Sequence, residues 1–124
     1  MKPVFPSIEA LFETGGVTGE VVMDEVLRAL VEHRDVIRPE ELARVMDADV
    51  RDLRGAVRLL TGMRLRDVIT QWRVLEARLM MERGVLRPDE VAQHCGWRSL
   101  RSMKAVLRRR GQWSARSAEG AEGG

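Results

Sequence analysis

The chain has 124 residues, 21 basic and 19 acidic, for a formal net charge of +2. That length supports one core of useful size but not two independent ones. No apolar run approaches membrane-spanning length, the opening Met-Lys-Pro-Val-Phe-Pro lacks the apolar stretch of a signal peptide, and the lone Cys95 excludes an internal disulfide, so the expected location is the cytoplasm.

Residues 1–20 are punctuated by Pro3, Pro6, Gly15, Gly16 and Gly19, which predicts a flexible N-terminal segment with at most a turn or two of helix over residues 8–12. Met23, Val26, Leu27, Leu30 and Val31 then fall at i, i+3, i+4, i+7 and i+8, one apolar face of a first helix. A short second helix from about Pro39 to Met46 buries Leu42, Ala43 and Met46. Asp47-Ala48-Asp49 supplies a turn and an Asp N-cap for a third helix over residues 50–60, which buries Leu53, Val57 and Leu60. Thr61-Gly62 ends it, and residues 21–64 make one helix-turn-helix unit.

A linker helix over residues 65–84 follows, with Val68, Ile69, Trp72, Leu75 and Leu79 on its apolar stripe. About nineteen residues at 1.5 Å each span roughly 28 Å. Beyond Gly84, a fifth helix opens at Pro88 and turns Val91, Ala92 and Cys95 inward. Gly96-Trp97 makes the turn, and Ser99 caps a sixth helix over residues 100–110 that buries Met103 and Leu107. Residues 85–113 are thus a second helix-turn-helix unit, with Trp72 and Trp97 expected in the core. The small, polar, Gly-rich residues 114–124 are expected to be disordered. The fold class is all-α, two helix-turn-helix subdomains joined by a long central helix.

An internal repeat supports this division. Residues 36–43 read Val-Ile-Arg-Pro-Glu-Glu-Leu-Ala, and residues 85–92, 49 positions on, read Val-Leu-Arg-Pro-Asp-Glu-Val-Ala. In each copy the proline suits the first turn of a helix, where its missing N–H is not needed, and the carboxylates lie near the positive end of the helix dipole. Charge is unevenly laid out as well. Residues 1–50 hold 5 basic and 11 acidic side chains, against 16 and 8 in residues 51–124. From Gly96 to Arg116 every charge is positive, the footprint expected for a polyanion.

Leu42-Ala43, Leu53, Thr61-Gly62-Met63, Arg73-Val74-Leu75-Glu76-Ala77, Val91-Ala92 and Cys95-Gly96-Trp97, in that order over about residues 25–114, resemble the DNA-binding domain of AraC/XylS-type transcription regulators. A chain of this size is similar to the stand-alone members. The resemblance implies a homeodomain-like, AraC-type arrangement in which two second helices enter successive major grooves, about 34 Å apart, so that one monomer reads an asymmetric site on double-stranded DNA. Carried over, the reading helices are residues 50–60 and 100–109. Candidate DNA contacts are Arg51, Arg54 and Arg58 in the first unit and Arg98, Ser99, Leu100, Arg101, Lys104 and Arg108 in the second, arginine being able to pair bidentately with guanine and either cation to neutralise phosphate.

Departures from the family pattern concentrate on the reading faces. Gly55 and Ala105 stand where members often carry arginine, and Asp49 and Asp52 add negative charge near the first reading helix. Arg73, near-constant in the family, fits a phosphate contact as well as it fits packing or a buried ion pair. The same surface arginines also suit a merely solvated helix face.

No phosphate-binding glycine loop, nucleophile with a matched base or pocketed acidic pair points to an enzyme, and no cofactor is expected. His94-Cys95 has no second His or Cys at ligand spacing, so no metal site is expected. The competing expectation is a protein-interaction module whose acidic first half binds RNA polymerase or another regulator.

Overall fold

The computed structural model describes residues 3–113. The tail expected over residues 114–124 lies outside them. Among the described residues there are seven helices and no strand: α1 (Ile8–Glu13), α2 (Val21–Glu32), α3 (Pro39–Val45), α4 (Val50–Thr61), α5 (Leu65–Arg83), α6 (Pro88–His94) and α7 (Leu100–Arg109). None of them is long and apolar enough to cross a membrane. The chain divides into two compact units, residues 1–71 and 72–124, with the division inside α5.

In the first unit, α3 packs on α4 and both pack on α2. The buried face of α2 is Met23, Val26, Leu27 and Leu30, but Val31 is 47% exposed. At 100° per residue Val31 lies about 80° from Met23 around the helix, at the edge of the stripe rather than on it. Pro39, Leu42 and Ala43 of α3 and Leu53, Val57 and Thr61 of α4 are buried, whereas Met46 and Leu60 are only half-buried. Burying side chains such as Leu53 and Val57 contributes about 1.5–3 kcal/mol each. The Thr61 hydroxyl donates to the Val57 carbonyl at 2.7 Å and accepts the Met63 N–H at 3.0 Å, fixing the turn at the end of α4.

Residues 3–20 contain α1 and several buried or hydrogen-bonded groups. Ser7 caps α1 by accepting the Ala10 N–H, so that Ile8 and Leu11, three residues apart on one face, are both buried, and Phe5 joins them. The Phe5 N–H donates to the Leu60 carbonyl at 2.8 Å. Further on, Thr18 donates both its N–H and its hydroxyl to Asp24 Oδ1 at 2.6 Å, tying the approach to α2 onto its first turn. These hydrogen bonds hold the Asp24 carboxyl below the usual carboxylate range.

The second unit is built on Val74, Ala77 and Met81 of α5, Val91 and Ala92 of α6, Cys95, and Met103 and Leu107 of α7. Trp97, Leu100 and Trp113 pack around that cluster and are only half-buried, so Trp97 borders the core instead of filling it. Leu79 is half-buried too, while Trp72, Arg73, Val74 and Leu75 are four consecutive buried positions. More than one face of α5 is therefore covered, not the single stripe its sequence suggested.

Candidate nucleic-acid interface

Both short helices end in the same hydrogen-bonded turn. After α3, the Asp47 N–H donates to the Arg44 carbonyl at 3.1 Å and the Ala48 N–H to the Ala43 carbonyl at 2.9 Å; after α6, Gly96 donates to Gln93 at 3.3 Å and Trp97 to Ala92 at 2.8 Å. Each pair of bonds is a Schellman motif, which needs a left-handed residue just past the cap. Gly96 takes that conformation at φ 82° and Asp47 at φ 52°. The acceptors Ala43 and Ala92 are the last residues of the two repeat copies, so the repeat extends through the turns in three dimensions.

The helices that follow start alike as well. Asp49 caps α4 by accepting the Arg51 and Asp52 N–H groups at 2.8 and 3.2 Å, and Ser99 caps α7 by accepting the Ser102 N–H at 3.1 Å. Counting from the caps, Arg51 corresponds to Arg101, Arg54 to Lys104, Gly55 to Ala105 and Arg58 to Arg108. The buried pair Leu53 and Val57 likewise corresponds to Met103 and Leu107. One helix face therefore carries three cations in each unit, roughly 110° around the helix from the pair that makes the core. Because the second turn is one residue longer, with Arg98 as the addition, the correspondence is hidden in a repeat aligned at constant spacing.

The cations differ in their surroundings. Arg51, Arg54 and Arg58 are exposed, and Arg54 Nη2 pairs with Glu40 Oε1 of α3 at 2.7 Å. A hydrogen bond from its own backbone N–H, and then the Arg54 guanidinium, hold the Glu40 carboxyl below the usual carboxylate range. Arg98, Arg101 and Arg108 are exposed, whereas Lys104 is half-buried with its Nζ 5.1 Å from the centre of the Trp113 ring. Trp113 thereby covers the end of the last helix and steadies Lys104 by cation–π attraction. Ser99 is occupied by its cap and by a 3.0 Å hydrogen bond to the Ser102 hydroxyl, and Leu100 packs against the core cluster. Arg73 is 3% exposed, so it lies inside the fold and not on the exposed face that carries the other cations.

Sequence reasoning missed a cationic groove in the first unit. Arg38, Arg54, Arg58, Arg64 and Arg66 line it together with Pro39, Glu40, Gly55 and Leu65. Its one legible signal was the Arg-Pro at the repeat. In the second copy Arg87 is held by Asp89 and Glu90 at 3.6 and 3.3 Å, but in the first copy Glu40 reaches to α4, leaving Arg38 without such a pair. Among the described residues no group of three His, Cys, Asp or Glu side chains is placed to hold a metal ion.

No family model, curated protein or solved structure matches the chain.

Proposed function

We propose that the protein is a stand-alone, cytoplasmic, sequence-specific DNA-binding transcription regulator of the AraC/XylS type, with α3–α4 and α6–α7 as its two helix-turn-helix units. What carries the reading is the matched cation set: Arg51, Arg54 and Arg58 on α4 and Arg101, Lys104 and Arg108 on α7, each set on the outer face of a capped helix that follows a short helix and a Schellman turn. In a helix-turn-helix that second helix enters the major groove, where arginine reads guanine and either cation neutralises phosphate. The second unit is the stronger contributor, since among the described residues Arg101 and Arg108 have no acidic partner, whereas Arg54 faces Glu40 and Asp52 is exposed beside Arg51.

Selection of bound sequences from random duplex DNA at physiological salt tests it. Enrichment of a common motif, bound with an affinity that falls steeply with salt, is the expected result. A pool that never converges, together with duplex binding too weak to measure, contradicts the proposal and returns the chain to a protein-interaction role such as contact with RNA polymerase.

A further inference from the structure

Five arginines converge on one groove of about 690 Å³ in a unit that is otherwise acidic. Residues 1–71 contain 10 basic and 13 acidic side chains, so the arginines are concentrated there against the sign of their surroundings. Two of the five are offset locally, Arg54 by Glu40 at 2.7 Å and Arg64 by Asp67 at 3.7 Å. Arg38, Arg58 and Arg66 make no ion pair among the described residues. Three guanidinium groups outside any such ion pair, with Arg38 still near enough to Glu40 to help lower its carboxyl pKa, thus face one concave space whose volume falls in the range of small-molecule sites, roughly 300–1,000 Å³.

Gly55 supplies the second observation. It lies in the interior of α4, where glycine is costly relative to alanine, yet its φ is not in the left-handed region and a Cβ built on it would meet nothing within 4 Å. No packing among the described residues requires the missing side chain. Its effect is to keep the groove wall open at backbone level, between Arg54 and Arg58, where a ligand can approach closely.

We infer that this groove binds a small anion bearing two or more phosphate groups. Each phosphate monoester carries about 1.5 to 2 negative charges at neutral pH, so two of them match the three unpaired arginines. The planar guanidinium fork pairs bidentately with phosphate oxygens, and arginines on several sides can enclose a compact ligand. A long polyanion such as duplex DNA is the poorer fit, because its extended field meets the net negative charge of this unit, with Asp49 and Asp52 exposed at the start of α4. An occupied groove also withdraws Arg54 and Arg58 from any duplex, which makes the anion a regulator of the first unit. The anion's binding itself does not depend on the duplex proposal, and the pyrophosphate titration is made in the absence of DNA, with the duplex in a separate arm.

The test is thermal unfolding of the full chain titrated with inorganic pyrophosphate, with sulfate and citrate at matched ionic strength as controls and a short duplex as a further arm. A saturable rise in Tm with pyrophosphate, larger than with either control, is expected. Gly55→Leu introduces a better helix former into open space, so it is expected to melt no lower than the parent protein but to bind pyrophosphate at least about tenfold more weakly. Arg58→Gln is expected to weaken binding about tenfold or more through loss of a charge-assisted contact, and serves if Gly55→Leu fails to fold. The inference is overturned if pyrophosphate gives no saturable shift, if citrate or sulfate shifts Tm equally, if both variants respond as the parent does, or if the duplex alone occupies the groove.

Discussion

Asp47 holds a backbone conformation that its counterpart, Gly96, adopts at less cost. With φ at 52°, Asp47 bears the Cβ crowding of the left-handed region. Asp47→Gly is therefore expected to raise unfolding free energy by about 0.5 to 1 kcal/mol after allowing for glycine's greater loss of chain entropy, as read from urea denaturation. The Arg54–Glu40 pair is a contest over one cation. Glu40→Gln should leave Tm almost unchanged, because exposed ion pairs contribute little, but should strengthen duplex binding and steepen its logarithmic salt dependence by about one unit as Arg54 becomes available to phosphate. The identity of such cations was legible in the sequence, and so was the Asp49 cap. Their pairing was not, because Glu40 and Arg54 are fourteen residues apart and meet only when α3 folds against α4.

The elements themselves followed closely from periodicity and caps. Helices α2 to α7 lie where the apolar spacing, the two Arg-Pro starts and the glycine stops put them. α1, with six residues and two buried side chains, is the turn or two of helix that residues 8–12 allowed among the prolines and glycines. Its packing against the end of α4 arises from tertiary contact, beginning with the hydrogen bond from Phe5 to Leu60. In the second unit α7 is anchored by Met103 and Leu107, both fully buried. Leu107→Ala is expected to destabilise the protein by about 2–5 kcal/mol in chemical denaturation, the usual range for deletion of a buried leucine side chain. The tie between Thr18 and Asp24 should give α2 a dependence on acidity. Because the Asp24 carboxyl is held below its unfolded value of about 3.9, its contribution is present above that pH and fades as pH falls through the lower folded value. Asp24→Asn should accordingly lower Tm at neutral pH, with the gap from the parent protein narrowing in acid below about pH 4.

For the whole molecule, charge separation is the property that bears most on function. Residues 72–124 hold 11 basic and 6 acidic side chains against 10 and 13 in residues 1–71, so the proposed DNA binding is expected to fall chiefly on the second unit. That asymmetry was visible in composition alone. The arginine-lined groove inside the acidic unit was not, since its five cations come from three separate stretches of chain. Duplex binding through α7 should therefore survive changes in α4 better than changes in its own Arg101 and Arg108.

The most direct measurement is the affinity of the full chain for a selected duplex across a salt series, with Arg101→Ala, Arg108→Ala and the parent compared at equal folded concentration. Steep loss of affinity with salt in the parent is expected, as is weaker binding with a shallower salt slope in both variants at nearly unchanged Tm. Equal affinity in all three proteins, or variants that lose folding but not affinity per folded molecule, would contradict DNA binding through α7.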